Sequence, residues 1–307
     1  MTENRRIRSV ARRTVDFFGE TLHRCVHHGI DTQSAALAFY TLVSLAPVLL
    51  VVGTIARRFF GEGRVQVEIV RQFQGVMGPD AGLVVAGILE KAAGPGAGAG
   101  PIGITGIVTF VLGATAVFIQ LQEALNRVWE VAPRPGPMFR SLLTKRFLSF
   151  GLVLSFGFLL LFSLTLSAGL VAFTDYLTAR IPVPVPLITF ANEVLSFLVL
   201  AVLIALVYKV LPDAKLDWED VAIGSILTSI LFSAGKWLIG FYLGRATMAA
   251  QFGVAGSLVV LLLWVYYESF ILLFGAEVTA VYSSLYGKHR VTPAPGATRA
   301  SAAPEGA

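Results

Sequence analysis

Four polar or ionisable side chains lie within stretches of the chain that are otherwise apolar enough to cross a lipid bilayer. An ionised side chain at the centre of a membrane helix costs on the order of 2.5 to 3.5 kcal/mol on insertion scales. Such a residue therefore faces other helices or a water-filled cavity, where it can carry a proton, contact a polar substrate or pair with an opposite charge. The candidate intramembrane polar site consists of Asn192, Glu193, Lys236 and Glu268.

Lys236 belongs to a helical face of small and hydroxyl-bearing residues, and such a face packs against protein or water rather than lipid. Lys236 and Glu193 both lie about seven residues, on the order of 10 Å, from the outer ends of their predicted helices, which makes them candidate partners. Two alternatives stay open: Lys236 snorkels towards the surface, and Glu193 occupies a wetter end of its helix. The face is formed by Ser225, Ser229, Ser233, Lys236, Gly240 and Gly244.

Glu268 is predicted to lie deeper, about 14 residues or on the order of 20 Å from the outer end of its helix. Counted in this way, no Lys or Arg of any predicted span reaches the same depth. The carboxyl group is then protonated, hydrogen-bonded to Ser and Tyr hydroxyls, or exposed to a wet inner vestibule. The functional interpretation makes Glu268 a proton carrier or a substrate contact, and the structural one makes it a neutral acid satisfied by local hydrogen bonds.

A second polar set is expected where two predicted helices reach the cytoplasmic interface. Glu123 and Glu277 lie close to helix ends there, and Arg127, Lys145 and Arg146 are the cations that could pair with them. The segment NRVWEV follows directly and offers a docking surface for a partner. The cytoplasmic interface set consists of Glu123, Asn126, Arg127, Trp129 and Glu277.

Catalytic and metal-binding patterns are missing from the sequence. The chain has four histidines, of which His23, His27 and His28 cluster near the amino terminus and His289 lies near the other end. No cysteine or carboxylate completes a metal-binding set around the first three, and Cys25 is the single cysteine. No HExxH, phosphate-cradling glycine loop or nucleophile triad is present. We therefore expect no catalytic residue, no metal and no cofactor.

Composition identifies the elements that must carry these residues. Of the 307 residues, 55% are hydrophobic and 14% charged, and the mean hydropathy is +0.74, which is typical of a polytopic membrane protein rather than a soluble domain. The predicted fold class is all-α, a bundle of six transmembrane helices. Runs of apolar residues place the spans at about 34–56, 101–122, 147–173, 187–208, 221–243 and 253–282.

The segments outside the spans have distinct compositions. Residues 1–33 carry an arginine cluster and then Phe17, Phe18, Leu22 and Val26 at helical spacing, which predicts an amphipathic helix on the membrane surface. The alternative is a solvated helix packed on the protein's own loops. Residues 57–100 are expected to form short extracytoplasmic surface or re-entrant helices, and residues 287–307 a disordered cytoplasmic tail.

Loop charges predict the orientation. Six spans place both termini on one side, and the loops on that side hold most of the 24 Lys and Arg residues. The positive-inside rule then places both termini in the cytoplasm. Topology thus accounts for the net charge of +5, and nucleic acid is not an expected partner.

Several stretches resemble the YihY/BrkB family of bacterial inner-membrane proteins. The matching segments are SAALAFYTLVSLAP, NRVWEV, DWEDVAIGS, FGVAGSLVVLLLWVYY and GAE. The resemblance implies a six-helix, multi-pass protein of the inner (plasma) membrane. Members of this family once carried the label ribonuclease BN, for which the histidines of this chain provide no metal centre.

Three classes of function remain after these observations. The first is a transporter or a lipid-handling, envelope-maintenance protein with a polar cavity between its helices. The alternative is a non-catalytic membrane scaffold that recruits envelope proteins, and a membrane enzyme is the third and weakest class. Membrane lipids are the expected partners, together with a second copy of the chain or an envelope protein.

Overall fold

The architecture is that of a computed structural model, which describes the backbone of most of the chain. The described residues are 16–60, 66–67, 69–71, 74, 79–92, 101–132, 185–243, 248–286, 292–293 and 298–299. Within them, the side chains of 51–60, 79–81, 91–92, 101–112, 185–189, 191–192, 236–243, 248–257, 292–293, 298–299 and a few single positions are not described. The predicted span 147–173 lies outside the described residues.

The described part of the chain is almost entirely helical, as the sequence predicts. In chain order the helices are α1 (16–27), α2 (Ile30–Phe60), α3 (Pro79–Ala92), α4 (Pro101–Val128), α5 (Val185–Val210), α6 (Trp218–Leu243) and α7 (Met248–Tyr286). Four two-residue strands form two antiparallel pairs. β1 (Val131–Ala132) pairs with β4 (Thr298–Arg299), and β2 (Ala214–Lys215) pairs with β3 (Thr292–Pro293).

Three stretches of the described helices are long and apolar enough to cross a membrane. They are Ile30–Leu49, Glu193–Val210 and Leu258–Leu285. The all-α membrane class is therefore confirmed, whereas the count of six spans stays a prediction. Residues 287–307, expected to be disordered, include the short strands β3 and β4.

A glycine turn separates α1 from α2. Gly29 has a φ of 62°, a left-handed conformation that a residue without a Cβ adopts at little cost. Its amide donates to the carbonyl of Val26 at 3.1 Å, and its own carbonyl accepts from the amide of Gln33 at 3.0 Å. Asp31 follows in the first turn of α2, where a carboxylate interacts favourably with the helix dipole. Local chemistry thus ends one helix and starts the next.

The chain divides into two compact units. The first unit comprises Met1–Arg24, Leu125–Ile230 and Gly275–Ala307, and the second comprises Cys25–Ala124 and Leu231–Phe274. In the second unit, Leu49 of α2 packs with Val85 and Leu89 of α3. A further apolar contact there joins Val84 of α3 to Leu261 of α7. The first unit contains both strand pairs and the polar contacts of the candidate site.

Helix α1 has three faces of different character. Phe18, Leu22 and Val26 are exposed by 54%, 60% and 82%, whereas Thr21 and Cys25 are buried. Steps of four residues keep each set on one side of the helix. The remaining face is polar and exposed, and it includes Asp16, Glu20, His23 and His27. An exposed apolar stripe beside a polar face is typical of a helix that lies in a membrane interface.

A fluorescent label on α1 tests this interpretation. We expect an environment-sensitive dye on Leu22→Cys to show blue-shifted emission in anionic nanodiscs, because its face inserts among the lipids. The same dye on Glu20→Cys, on the polar face, is the matched control and should report water. Equal emission at both positions would support a solvated helix packed on loops.

Candidate functional site

The polar contacts of the first unit join three segments that also carry the family resemblance. These segments are NRVWEV at the end of α4, DWEDVAIGS at the start of α6, and GAE in α7. Each segment supplies at least one buried polar residue, namely Asn126, Asp220 and Glu277. We call the contacts around these residues the polar cluster of the first unit.

Asn126 forms two hydrogen bonds to the connection between α5 and α6, and we call this pair of bonds the Asn126 clasp. Its Nδ2 donates to Oδ2 of Asp213 at 3.0 Å, and its Oδ1 accepts from the backbone amide of Asp213 at 2.7 Å. Asn126 is only 5% exposed and Asp213 is half-buried, so these hydrogen bonds are partly shielded from water. An amide is suited to this position because it carries a donor and an acceptor on one rigid group, which a carboxylate does not. The clasp therefore ties the end of α4 to the α5–α6 connection.

The substitution Asn126→Asp is expected to destabilise the protein by about 2 to 3 kcal/mol. The new carboxylate loses the donor and places two acceptors against each other in a buried position. Thermal unfolding of the purified protein in nanodiscs measures the effect. Arg127→Ala, on the neighbouring exposed residue, is the control and should change stability by no more than about 0.5 kcal/mol. Equal stability of Asn126→Asp and the parent protein would contradict the clasp.

Arg24 of α1 contacts two carboxylates of the first unit. It forms an ion pair with Glu130, whose side chain is 58% exposed, and its Nε lies 4.0 Å from Oε2 of Glu277, whose side chain is fully buried. Glu130 has a φ of 51°, which is unusual for a residue with a Cβ. This backbone turn lies within NRVWEV, at its fifth residue, and leaves Glu130 beside Arg24. One guanidinium thus contacts residues on two different segments.

The cation beside Glu277 is one that the sequence analysis did not single out. Arg127 is exposed, while Lys145 and Arg146, the other two cations considered for Glu277, lie outside the described residues. Arg24 precedes Glu277 by more than 250 residues, and no periodicity or motif connects two residues so far apart in the chain. Glu277 is also fully buried rather than at a solvated helix end.

Helices α6 and α7 meet in the first unit along a seam of glycines and hydroxyls, which we call the glycine–hydroxyl seam. A Cβ on Gly224 would collide with Thr279, and a Cβ on Gly275 would collide with Thr228, so the helices touch where side chains are smallest. The Thr228 hydroxyl is 3.0 Å from the Tyr208 hydroxyl of α5. The Tyr208 hydroxyl is thus satisfied between helices, while the hydroxyls of Thr228 and Thr279 donate to the carbonyls of Gly224 and Gly275 on their own helices.

Asp220 adds a carboxylate to the same helix pair. The Ser283 hydroxyl donates to Oδ2 of Asp220 at 2.6 Å, and both residues are buried. Ser225 and Ser229, predicted to face protein or water, are also buried, whereas Ser233 is exposed. The α6–α7 pair therefore carries polar groups along much of its buried surface in the first unit.

The intramembrane residues singled out from the sequence have different surroundings. Glu193 is exposed, and the side chains of Asn192 and Lys236 are not described, so the predicted Glu193–Lys236 pair stays a prediction. Glu268, in the second unit, is half-buried, and both of its carboxylate oxygens are shielded from solvent. Tyr267, beside it in sequence, packs over Gly235 of α6.

The residues predicted at the cytoplasmic interface also differ in their exposure. Asn126, Trp129 and Glu277 are buried, whereas Glu123 and Arg127 are exposed. Within the described ranges, no group of three or more His, Cys, Asp or Glu residues is arranged to hold a metal ion. What the polar cluster offers chemically is a set of carboxylates, hydroxyls and one guanidinium held between helices.

Comparisons with known proteins agree with the membrane class. The model of a family described as virulence factor BrkB matches residues 21–299. A UPF0761 membrane protein of Pseudoalteromonas atlantica is 25% identical over 266 residues, which cover 85% of this chain and 83% of that protein. One from Alteromonas mediterranea is 25% identical over 293 residues, with 94% of each chain covered.

Other relatives are longer than this chain. A UPF0761 membrane protein of Verminephrobacter eiseniae is 29% identical over 265 residues, and the match covers 85% of this chain but only 60% of that protein. The names of these relatives describe membrane proteins and no enzymatic activity. No solved structure matches the chain.

Proposed function

The chain belongs to the BrkB family of membrane proteins, and from that premise we propose that it is a transport or lipid-handling protein whose polar interior lies between helices. The observation that carries the proposal is that one apolar span, Leu258–Leu285, holds both Glu268, whose carboxylate oxygens are shielded from solvent, and the fully buried Glu277. A helix that only anchors a protein needs no carboxylate. Buried ionisable residues within a span are found where membrane proteins move protons, ions or polar groups.

The outer surfaces of these helices are apolar, unlike their buried polar contacts, and this difference supports the proposal. Large apolar side chains are exposed on α5, α6 and α7, where they suit contact with lipid tails. Several polar groups of these helices instead lie in the glycine–hydroxyl seam and the polar cluster, while Glu193 and Ser233 are exposed. Apolar outside and polar inside is the distribution expected around a transport path. The exposed apolar residues include Phe190, Leu198 and Val202 on α5, Ile223, Ile226 and Ile230 on α6, and Val259 and Leu263 on α7.

In this proposal the protein has six spans, crosses the bacterial inner membrane repeatedly and keeps both termini in the cytoplasm. The location of the cations in the sequence supports this orientation. Reporter fusions at each predicted loop and at the carboxy terminus test it. A carboxy terminus on the extracytoplasmic side would overturn the orientation, and a cytoplasmic amino terminus found with it would overturn the six-span count as well.

Reconstitution tests the lipid-handling activity. The protein is placed in liposomes that contain NBD-labelled phosphatidylethanolamine, and dithionite added outside bleaches the label of the outer leaflet. We expect the protected inner-leaflet fluorescence to decay faster with protein than without it, because the polar interior lets headgroups cross. Glu268→Gln should slow the decay, whereas Glu90→Gln, at an exposed position of α3, should not.

A second experiment distinguishes a scaffold function from a transport function. Native mass spectrometry of the gently extracted protein should show bound lipid, alone or on a dimer of the chain. A decay rate equal to that of protein-free liposomes, combined with a bound protein partner and no lipid, would favour a scaffold that recruits envelope proteins.

A further inference from the structure

We propose that the exposed surface of α6 from Trp218 to Ile230 contacts phospholipid, with the edge of the hydrocarbon core at Trp218, and that Glu277 lies about two helical turns inside that edge. This inference rests on the proposed function and deepens it, because it gives one carboxylate of the polar interior a depth in the membrane. Its test measures depth and not transport, so either can fail without the other. In the proposed orientation, the edge at Trp218 is the cytoplasmic one.

Three contacts in the first unit determine how α6 and α7 are aligned. Each contact lies four residues further along α6, and four residues further back along α7, than the one before it. The two antiparallel helices therefore keep the same alignment over this stretch. The contacts join Asp220 to Ser283, Gly224 to Thr279, and Thr228 to Gly275.

This alignment places Glu277 at the level of Ile226. Glu277 follows Gly275 by two residues on α7, and Ile226 precedes Thr228 by two residues on α6. Trp218 precedes Ile226 by eight residues on the same helix. At about 1.5 Å per residue, eight residues correspond to about 12 Å along α6. Glu277 is therefore about 12 Å from the level of Trp218.

The exposed surface of α6 changes from charged to apolar after its first turn. Lys215, Asp217 and Glu219 are exposed on either side of Trp218. From residue 221 to residue 230, every exposed residue is apolar and every Ser or Thr is buried. Charged side chains belong in water and headgroups, and exposed apolar ones suit contact with lipid tails. The exposed apolar residues are Ala222, Ile223, Ile226 and Ile230.

Trp218 has the properties of a residue at the membrane interface. It is 59% exposed, and Nζ of Lys209 lies 5.3 Å from the centroid of its ring. Tryptophan is enriched at this level of a bilayer because its ring is apolar and carries one N–H donor, and lysines near helix ends extend towards the headgroups. Lys209 lies in the last turn of α5, whose exposed residues Leu198 and Val202 are apolar. Two helices thus give the same boundary.

The depth changes the interpretation of Glu277. The sequence predicts Glu277 near a helix end at the cytoplasmic interface, but α7 continues for nine residues beyond it to Tyr286. A carboxylate about 12 Å inside the hydrocarbon edge needs a compensating group. Arg24 provides a positive charge there, since its Nε lies 4.0 Å from Oε2 of Glu277. The two charges then belong to the interior of the path and not to its rim.

Spin-label accessibility tests the boundary. In a Cys25→Ser background, which removes the single cysteine, a nitroxide is attached to Lys215→Cys, Trp218→Cys or Ile226→Cys, and the protein is reconstituted in phosphatidylcholine liposomes. Collisions with a water-soluble nickel chelate should be on the order of tenfold less frequent at position 226 than at 215, because hydrocarbon excludes polar complexes. Collisions with oxygen, which dissolves in lipid, should be more frequent at 226. Position 218 should be intermediate for both reagents.

A label on α7 tests the alignment of the helices. Leu285 is 54% exposed and follows Ser283 by two residues, as Trp218 precedes Asp220 by two. Leu285→Cys should therefore report the same depth as Trp218→Cys and a smaller depth than Ile226→Cys. Equal depths at 285 and 226 would overturn the alignment. Equal access of the nickel chelate to 226 and 215 would overturn the boundary, and low access of both reagents to 226 would replace lipid by a protein partner on this surface.

Discussion

Arg24→Ala is expected to lower the free energy of unfolding by about 3 kcal/mol, because a fully buried carboxylate loses a charged neighbour. The fully buried carboxylate of Glu277 loses the guanidinium whose Nε lies 4.0 Å away. In the interior no water replaces that charge. Chemical or thermal unfolding in nanodiscs measures the loss.

Two further variants identify which contact of Arg24 is responsible. Glu130→Gln removes the other carboxylate, which is 58% exposed, and should cost less than about 1 kcal/mol because water screens an exposed pair. Arg24→Ala combined with Glu277→Gln should be more stable than Arg24→Ala alone, since the buried charge is then absent. A large loss for Glu130→Gln together with no rescue by Glu277→Gln would assign the stabilisation to Glu130 instead.

Gly275→Ala is expected to cost about 1 to 3 kcal/mol, the range measured when a methyl group is forced into a packed interior. The added Cβ would collide with the Thr228 hydroxyl and lie 2.8 Å from the Tyr208 hydroxyl. It therefore separates α6 from α7 and also disturbs the 3.0 Å hydrogen bond between Tyr208 and Thr228. The expected result is a lower Tm and a smaller fraction of folded protein after extraction.

Gly87→Ala provides the matched control. Gly87 also lies inside a helix, α3, but no atom beyond its chain neighbours and the adjacent helix backbone is within 4 Å of the position that its Cβ would occupy. Alanine is favoured over glycine in a helix by about 0.5 to 1 kcal/mol, so this substitution should be neutral or slightly stabilising. If both substitutions gave the same change, the effect would come from helix propensity and not from the seam.

The sequence singled out several buried polar residues but not the residues that they contact. It identified Glu268 and Glu277 because a carboxylate inside an apolar run is recognisable without any structure. It identified Asn126 through a motif, but not the clasp with Asp213, since the two lie 87 residues apart. Glu123 and Arg127 were included in the same set, yet both are exposed. Nearness in sequence to a buried motif does not bury a residue, because neighbours on a helix face different directions.

What the sequence by itself determined is the kind of molecule: an all-α membrane protein of the BrkB family, with ionisable residues at only a few positions of its apolar runs. Hydropathy and helical period are local properties of the sequence, so they are the same in any arrangement of the helices. Only the tertiary structure decided that Arg24 contacts Glu277 and that Tyr267 packs over Gly235. Those contacts depend on how far one helix is shifted and rotated against another. Close packing at glycines determines that shift and rotation, and counting residues from the helix ends cannot give it.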